Sequence, residues 1–182
     1  MKKNIEIEFK TLLNESDYAR LKDSYFKQAR LIEQQNRYFD TVTNDLYDRK
    51  MTARIRRANN RSLFTLKQVN QVNQIVEYEI EDDKLQIDDP RITELLVKLN
   101  LPLTIIEIAR TTTNRLILED DAGEWCLDKT ELSNAIDFEL EYELTKDTLD
   151  ERSGLDRFTE FLESYDIVYK HGPSKFQRAL SY

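Results

Sequence analysis

Apolar and polar residues alternate along much of the chain, as they do in strands that have one buried and one wetted face. Eight stretches show this pattern, and short polar turns join several of them as in antiparallel hairpins. The predicted strands are residues 4–10, 34–41, 51–58, 62–69, 74–81, 104–119, 123–130 and 136–145. A break near Arg110 could divide the sixth strand in two.

Four other segments have the apolar spacing and the start signals of helices. The first is predicted at residues 14–28, where Asn14 or Ser16 can serve as the N-cap. A second starts at Asp89-Pro90 and ends by residue 100. Capping-box spacing from Thr148 to Glu151 and from Ser174 to Gln177 predicts the last two helices.

These elements indicate an α+β fold dominated by antiparallel strands. About eight strands is the number that can close into a small barrel and still leave room for a ligand. Closure would also remove the exposed strand edges. Alternation alone does not distinguish such a barrel from an open sheet.

The polar faces of several strands carry charges of a single sign. The acidic groups are Glu6 with Glu8, Glu77 with Glu79, and Glu139 with Glu141 and Glu143; the basic pair is Arg54 with Arg56. For any one strand, a solvated face is the ordinary interpretation. Several such strands together weaken that interpretation, because like charges side by side are costly and glutamate is a poor strand former.

A binding site for metal ions and phosphates would explain these charges. Carboxylates on one face can hold Mg²⁺ or Mn²⁺, which prefer oxygen ligands. Arginine and lysine on facing strands can hold phosphate oxygens. Phosphoryl transfer depends mainly on such positioning and charge neutralisation. Lys175 follows the cap Ser174 at the start of a helix, where the helix dipole favours a bound anion. The alternative is that Lys175 is a solvent-exposed lysine without a function. Arg178, one turn further on, could take part in either arrangement.

Composition limits the other possibilities. The chain has 182 residues, which fits one domain spanning residues 1–182, and a net charge of −8, which argues against non-specific binding of nucleic acid. The chain has a single cysteine, Cys126, which predicts a protein without internal disulfides. It has neither an apolar leader nor a run long enough to span a bilayer, which predicts a cytoplasmic location. We expect Cys126 to be buried and inert, and His171, as the sole histidine, to be a loop residue rather than a general base. No glycine-rich phosphate loop is present, which disfavours P-loop and Rossmann chemistry.

The order of the charged residues resembles the CYTH family, also called the triphosphate tunnel metalloenzymes. Glu6-x-Glu8-x-Lys10 resembles the family's N-terminal signature. The residues that follow in family order are Arg54-x-Arg56, Lys67, Glu77-x-Glu79, Arg115, Asp128, Glu139-x-Glu141 and Ser174-Lys175. The resemblance extends from residue 6 to residue 178.

The resemblance implies an eight-stranded antiparallel barrel that forms a tunnel, binds a triphosphate and uses Mg²⁺ or Mn²⁺. By this resemblance the catalytic residues would be Glu6, Glu8 and Lys10. The substrate-binding residues would be Lys10, Arg54, Arg56, Lys67, Arg115, Lys175 and Arg178. The metal ligands would be Glu6, Glu8, Glu139, Glu141 and Asp128, supported by Glu77, Glu79 and Glu143. Two departures stand out: Thr113 replaces a basic residue that many members have, with Arg110 as a possible substitute, and Glu143 extends the last acidic pair.

Three functions are consistent with this resemblance. The first is metal-dependent hydrolysis of a triphosphate, with inorganic triphosphate as the expected substrate and thiamine or nucleoside triphosphates as others. The second is an adenylate cyclase that makes cyclic AMP, which would need an adenine pocket that the sequence does not reveal. The third is a non-catalytic binder of triphosphate or polyphosphate. A triphosphate-containing small molecule is the expected partner, and a monomer and a homodimer both remain open.

Overall fold

The computed structural model describes residues 1–71, 73–146, 148–170 and 172–181, so that His171 lies outside the described residues. The strands are β1 Lys2–Leu13, β2 Arg30–Asp40, β3 Met51–Ala58, β4 Arg61–Val69, β5 Gln74–Asp82, β6 Ile106–Glu119, β7 Gly123–Glu131 and β8 Ile136–Leu144. The helices in these ranges are α1 Glu15–Asp23, α2 Asp45–Asp48, α3 Pro90–Lys98, α4 Glu151–Ser164 and α5 Lys175–Ser181. None of the helices in the described ranges combines the length and the apolar character needed to cross a membrane.

The eight strands form a closed antiparallel barrel in the order β1-β5-β4-β3-β2-β6-β7-β8. Strand β1 closes it, because its first half pairs with β5 and its second half pairs with β8. The predicted α+β fold with an eight-stranded closed barrel is therefore confirmed.

Strand β6 is continuous through Arg110, so the possible break at that residue does not occur. The irregularity lies instead in the pairing with β2, where Tyr38 is opposite Ala109 and Phe39 is opposite Glu107. Ile108 is the extra residue of a bulge, which adds one residue to a strand without ending it.

The apolar core lies outside the barrel, between the strands and the helices. One cluster packs α3 against the outer face of the middle strands and includes Phe64 and Ile92. A second packs α1 and α4 against β1, β7 and β8, and includes Phe9, Tyr142 and Phe158. Since the apolar side chains of these strands point outward, the alternate polar side chains point into the barrel.

Helix starts follow the predicted caps in three of four cases. Asn14 caps α1, Asp89 caps α3, and Ser174 and Gln177 bond to each other's backbone N–H groups at 3.2 and 2.8 Å. The prediction for α4 is wrong: the cap is Asp150, which accepts from Ser153 N at 2.8 Å. Thr148 instead donates to a distant carbonyl, that of residue 121, at 3.2 Å.

Other boundaries also differ from those predicted: β1 and β2 begin at Lys2 and Arg30 rather than at residues 4 and 34, and the end of α1 and the turn after β2 differ as well. Helix α1 ends at Asp23, five residues early, because the Ser24 hydroxyl donates to the Arg20 carbonyl at 2.6 Å and Phe26 turns into the core. The predicted turn after β2 contains the short helix α2. It is held by Asp40, whose carboxylate accepts from two backbone N–H groups at the start of that helix at 2.8 and 2.9 Å.

Candidate active site in the barrel tunnel

The interior of the barrel contains a cavity of about 190 Å³, which is room for about six water molecules at ~30 Å³ each. Twelve of the fifteen residues predicted for the site line this cavity. They are Glu6, Glu8, Lys10, Arg54, Arg56, Lys67, Glu77, Glu79, Arg115, Glu141, Glu143 and Lys175. The three predicted residues that do not line it are Asp128, Glu139 and Arg178.

Five glutamates of the cavity lie on three adjacent strands, β8, β1 and β5, and form an acidic wall: Glu6, Glu8, Glu77, Glu79 and Glu143. Glu8 is directly opposite Glu143 across the β1–β8 pair. Lys10 lies 2.6 Å from Glu8, and Lys67 lies 2.6 Å from Glu6 and 2.8 Å from the next strand's Glu77.

This wall carries more negative charge than these two lysines offset. The wall residues Glu6, Glu8, Glu77, Glu79 and Glu143 face only Lys10 and Lys67 as ion-pair partners among the described residues. Burial and the nearby Glu6 raise the pKa of Glu143 to about 8. A cation placed at the wall would relieve that excess.

The arginines of the cavity lie on the other side of the barrel, on β3 and β6. Arg56 donates from Nε to Asn36 Oδ1 at 3.0 Å, but it has no carboxylate partner among the described residues. Burial, together with repulsion from Arg54 and Arg115, lowers the pKa of Arg56 to about 9. The Nε of Arg54 is buried and has no hydrogen-bond partner among the described residues. Buried cations without partners are costly, so this basic wall is suited to a bound anion.

A third group of charges joins helix α5 to strands β7 and β8, and there the signs are balanced. Asp128, Glu139 and Glu141 have carboxylate oxygens within 4.8 Å of one another, which is close enough to share a metal ion. Arg115 already bonds Asp128 through two nitrogens at 2.8 and 2.6 Å and also bonds Glu141. Lys175 lies 2.5 Å from Asp128, 3.1 Å from Glu139 and 3.3 Å from Glu141.

Arg178 completes this balanced group. Its guanidinium lies 3.0 Å from Glu139 and 2.5 Å from Asp137, and it also donates to the carbonyl of Pro173 at 2.7 Å. Burial alone would raise the pKa of Asp128, but Arg115 and Lys175 outweigh it and lower that pKa. These carboxylates are therefore neutralised by the protein itself.

Asn36 of β2 was not found from the sequence because it carries no charge, although it accepts a hydrogen bond from Arg56 inside the barrel. Tyr38 of the same strand lines the cavity. The alternation of β2 places Asn36 on the inward face, and this alternation was the signal that could have identified it. Phe176 enters from α5 and stacks on Tyr38 with ring centroids 5.2 Å apart. This contact anchors the start of α5 beside the cavity.

Both departures from the family pattern lie inside the barrel, and Glu143 lines the cavity opposite Glu8. Thr113 is buried in the barrel and its hydroxyl lies 3.0 Å from that of Thr130. Arg110 points outward, with 70% of its side chain exposed and a bond to Glu107, so it does not replace the missing basic residue. Cys126 is buried, and burial raises the pKa of its thiol to about 12, which leaves it inert at neutral pH.

A closed barrel with a charged, polar interior and its apolar core on the outside is the architecture of a tunnel protein for small ionic ligands. Residues 4–180 match the CYTH domain, and the chain belongs to that family. A Bacillus subtilis protein named "Putative triphosphatase YjbK" is 26% identical over 98% of this chain and 95% of its own length.

Solved structures agree with this fold. A Bacillus halodurans protein described as a "putative adenylate cyclase" superposes with a TM-score of 0.81 at 26% identity, covering 98% of both chains. A Hippeastrum protein has a TM-score of 0.73 at 23% identity, covering 97% of this chain and 95% of its own. It is described as a "putative adenylyl cyclase" with a dominant triphosphatase activity.

Proposed function

We propose that the tunnel binds a triphosphate and hydrolyses it with the help of Mg²⁺ or Mn²⁺, and that inorganic triphosphate is the preferred substrate. The observation that carries this proposal is the separation of charge inside the barrel. Arg54 and Arg56 lie inside the barrel without a carboxylate partner among the described residues, and they line the same cavity as an acidic wall whose five glutamates pair with only two lysines. A metal–triphosphate complex brings both missing charges at once.

The acidic wall fits a divalent metal ion. Its carboxylate oxygens are the hard ligands that Mg²⁺ and Mn²⁺ prefer. We propose that Glu6, Glu8 and Glu143, with Glu141 beside them, hold the ion. Asp128 and Glu139 were also predicted as ligands, and we propose for them the supporting role of holding Arg115, Lys175 and Arg178. When bound, the ion would neutralise charge that develops on the phosphate oxygens.

The protein's own groups then perform the remaining tasks. Arg54, Arg56 and Arg115 bind phosphate oxygens, since guanidinium forks match phosphate geometry. Lys67 and Lys175 add positive charge to the same cavity. Glu8 keeps Lys10 in place at 2.6 Å, where the ammonium can neutralise the substrate or orient a water molecule.

The reaction is an in-line displacement at the terminal phosphorus. A new bond forms between a water oxygen and that phosphorus, and the bond from the phosphorus to the bridging oxygen breaks. A carboxylate of the acidic wall accepts the water proton, and the products are phosphate and pyrophosphate. Much of the rate increase in such reactions comes from positioning and charge neutralisation.

The relatives support this reaction more than the cyclase alternative. The Bacillus subtilis relative carries a triphosphatase name, and the Hippeastrum protein is described by a dominant triphosphatase activity despite its cyclase name. Cyclic AMP synthesis would also need a surface for adenine. In the described lining of the cavity the aromatic residues are Tyr38 and Phe176, which stack on each other and are buried.

A phosphate-release panel tests the proposal. The purified protein would be incubated with inorganic triphosphate, thiamine triphosphate, ATP or GTP, each with Mg²⁺ or Mn²⁺, while cyclic AMP is assayed in parallel. We expect the fastest release from inorganic triphosphate and no cyclic AMP. Cyclic AMP formation would favour the cyclase, and tight triphosphate binding without turnover under either metal would favour a non-catalytic binder.

A further inference from the structure

The outer face of the barrel carries a second cavity, of about 550 Å³, over strands β2, β3 and β6. One bank is the segment 83–86 that follows β5, and the apolar side chains of Ile55 and Leu85 form part of the floor. The volume lies within the range of sites for small organic ligands. We call this cavity the outer groove.

Four cationic side chains line the outer groove, which is unexpected on a protein with a net charge of −8. They are Arg37, Arg57, Lys84 and Arg110, and the lining contains a single acidic residue, Asp83. The charge here is therefore opposite in sign to that of the whole molecule, which favours the approach of anions to this face.

The arginines of the outer groove are under-compensated. Arg37 and Arg110 are directly opposite each other on β2 and β6, an arrangement that like charges disfavour. Both guanidiniums share one carboxylate, that of Glu107, each at 2.6 Å. Arg57 has no hydrogen bond or ion pair with any residue in the described part of the chain.

The chemistry of the lining points to a phosphate. Guanidinium groups bind phosphate oxygens through two parallel hydrogen bonds, and Arg57 has all its donors available. The hydroxyl of Thr112 and the amide of Gln35 lie in the same lining and can bond further oxygens. An inorganic anion would fill only a small part of a groove of about 550 Å³, whereas an organic group attached to the phosphate would occupy the remainder.

We propose that the outer groove is a second ligand site, separate from the tunnel, that binds a phosphorylated small molecule through Arg57, Arg37 and Arg110 and holds its organic portion in the remaining volume. The two sites lie back to back on the same strands. Arg57 and Gln35 point into the groove, while their neighbours Arg56 and Asn36 point into the barrel.

The test measures binding of ADP and of pyrophosphate to full-length protein that carries Arg56→Gln, which weakens the tunnel site, in the absence of divalent metal. We expect calorimetry to give one equivalent of bound ADP, and weaker binding of pyrophosphate. Adding Arg57→Gln should weaken ADP binding about tenfold, which is ~1.4 kcal/mol. Amide resonances of the segment 83–86 should shift with ADP.

The matched control is Arg61→Gln, which removes an exposed arginine that pairs with Glu81 outside the groove. It should leave ADP binding unchanged. The single variant Arg57→Gln should keep the triphosphatase activity of the wild type, which separates this site from the tunnel. Absence of ADP binding, equal effects of Arg57→Gln and Arg61→Gln, or tighter binding of pyrophosphate than of ADP would overturn the proposal.

Discussion

Replacing Arg56 by glutamine should abolish most of the activity while leaving the free protein at least as stable as the wild type. Arg56 lies half-buried inside the barrel, and its neighbours Arg54 and Arg115 repel it. Its pKa of about 9, against a usual 12.5, corresponds to roughly 5 kcal/mol of unfavourable free energy for the charged form. Glutamine keeps an N–H donor for Asn36 and removes that charge.

We therefore expect opposite signs for stability and for function. The free energy of unfolding of the free variant should be unchanged or higher, by up to ~1–4 kcal/mol, as when buried charges are replaced by neutral residues. Phosphate release from inorganic triphosphate should fall by about 10²–10³-fold, as when one donor to a developing negative charge is removed.

Thermal unfolding with and without inorganic triphosphate separates the two effects, with metal left out so that the substrate persists. A ligand at 100 times its Kd adds ~2.7 kcal/mol to stability. At about 2–4 °C per kcal/mol for a chain of this size, that raises the wild-type Tm by roughly 5–11 °C. We expect the Arg56→Gln variant to lose most of this increase. Arg61→Gln, at an exposed arginine outside both the tunnel and the outer groove, is the matched control and should keep it.

A variant that is clearly less stable than the wild type, yet responds fully to triphosphate, would refute this reasoning. That result would mean that Arg56 supports the barrel and that the anion binds elsewhere. An equal loss of response in the Arg61→Gln control would be just as damaging, because it would show that overall charge rather than the tunnel site governs the effect.

Three further perturbations test other parts of the structure. Asp120 accepts hydrogen bonds from Trp125 Nε1 and two backbone N–H groups, and these bonds outweigh burial and lower the pKa of Asp120. Asp120→Ala should therefore lower the free energy of unfolding in urea by ~2–4 kcal/mol. Asp121→Ala, at the exposed neighbouring residue, is the control. That stabilisation is complete above the usual pKa of 3.8 and is lost as the pH falls below it, so acid should narrow the gap between variant and wild type. Glu143→Gln should raise the metal concentration for half-maximal activity about tenfold, or ~1.4 kcal/mol, and an unchanged requirement would remove Glu143 from the metal site. Arg178→Ala should cost ~3–5 kcal/mol in the same urea assay, because it removes the ion-pair partner of Asp137 and one of the two cations that face buried Glu139. A cost below 1 kcal/mol would contradict its role in holding α5.

The strands and the inward charges were predictable because both depend on local order. Alternation determines which side chains share a face of the strand. Two like charges on one face, as at Arg54 and Arg56, predict a partner or ligand of opposite charge. Closure of the barrel was not accessible to alternation, since it depends on β1 pairing with both β5 and β8. It entered through the family resemblance alone.

Which carboxylates are already neutralised could not be predicted either. Glu139 and Glu143 lie on the same face of one strand, four residues apart, and their sequence contexts do not distinguish them. In three dimensions Glu139 contacts Arg178 and Lys175, whereas Glu143 faces the glutamates of β1. The start of α4 shows the same limit, because Thr148 and Asp150 are both good caps until a distant carbonyl engages Thr148.

The most direct test of the proposed site is phosphate release from inorganic triphosphate by the wild type and by the Glu8→Gln variant, with circular dichroism to confirm that the variant is folded. We predict metal-dependent release by the wild type, and a loss of at least 10²-fold in a folded Glu8→Gln protein, because the substitution removes a charge from the acidic wall and the partner of Lys10. Unaltered turnover in the folded variant would contradict the assignment of catalysis to the tunnel.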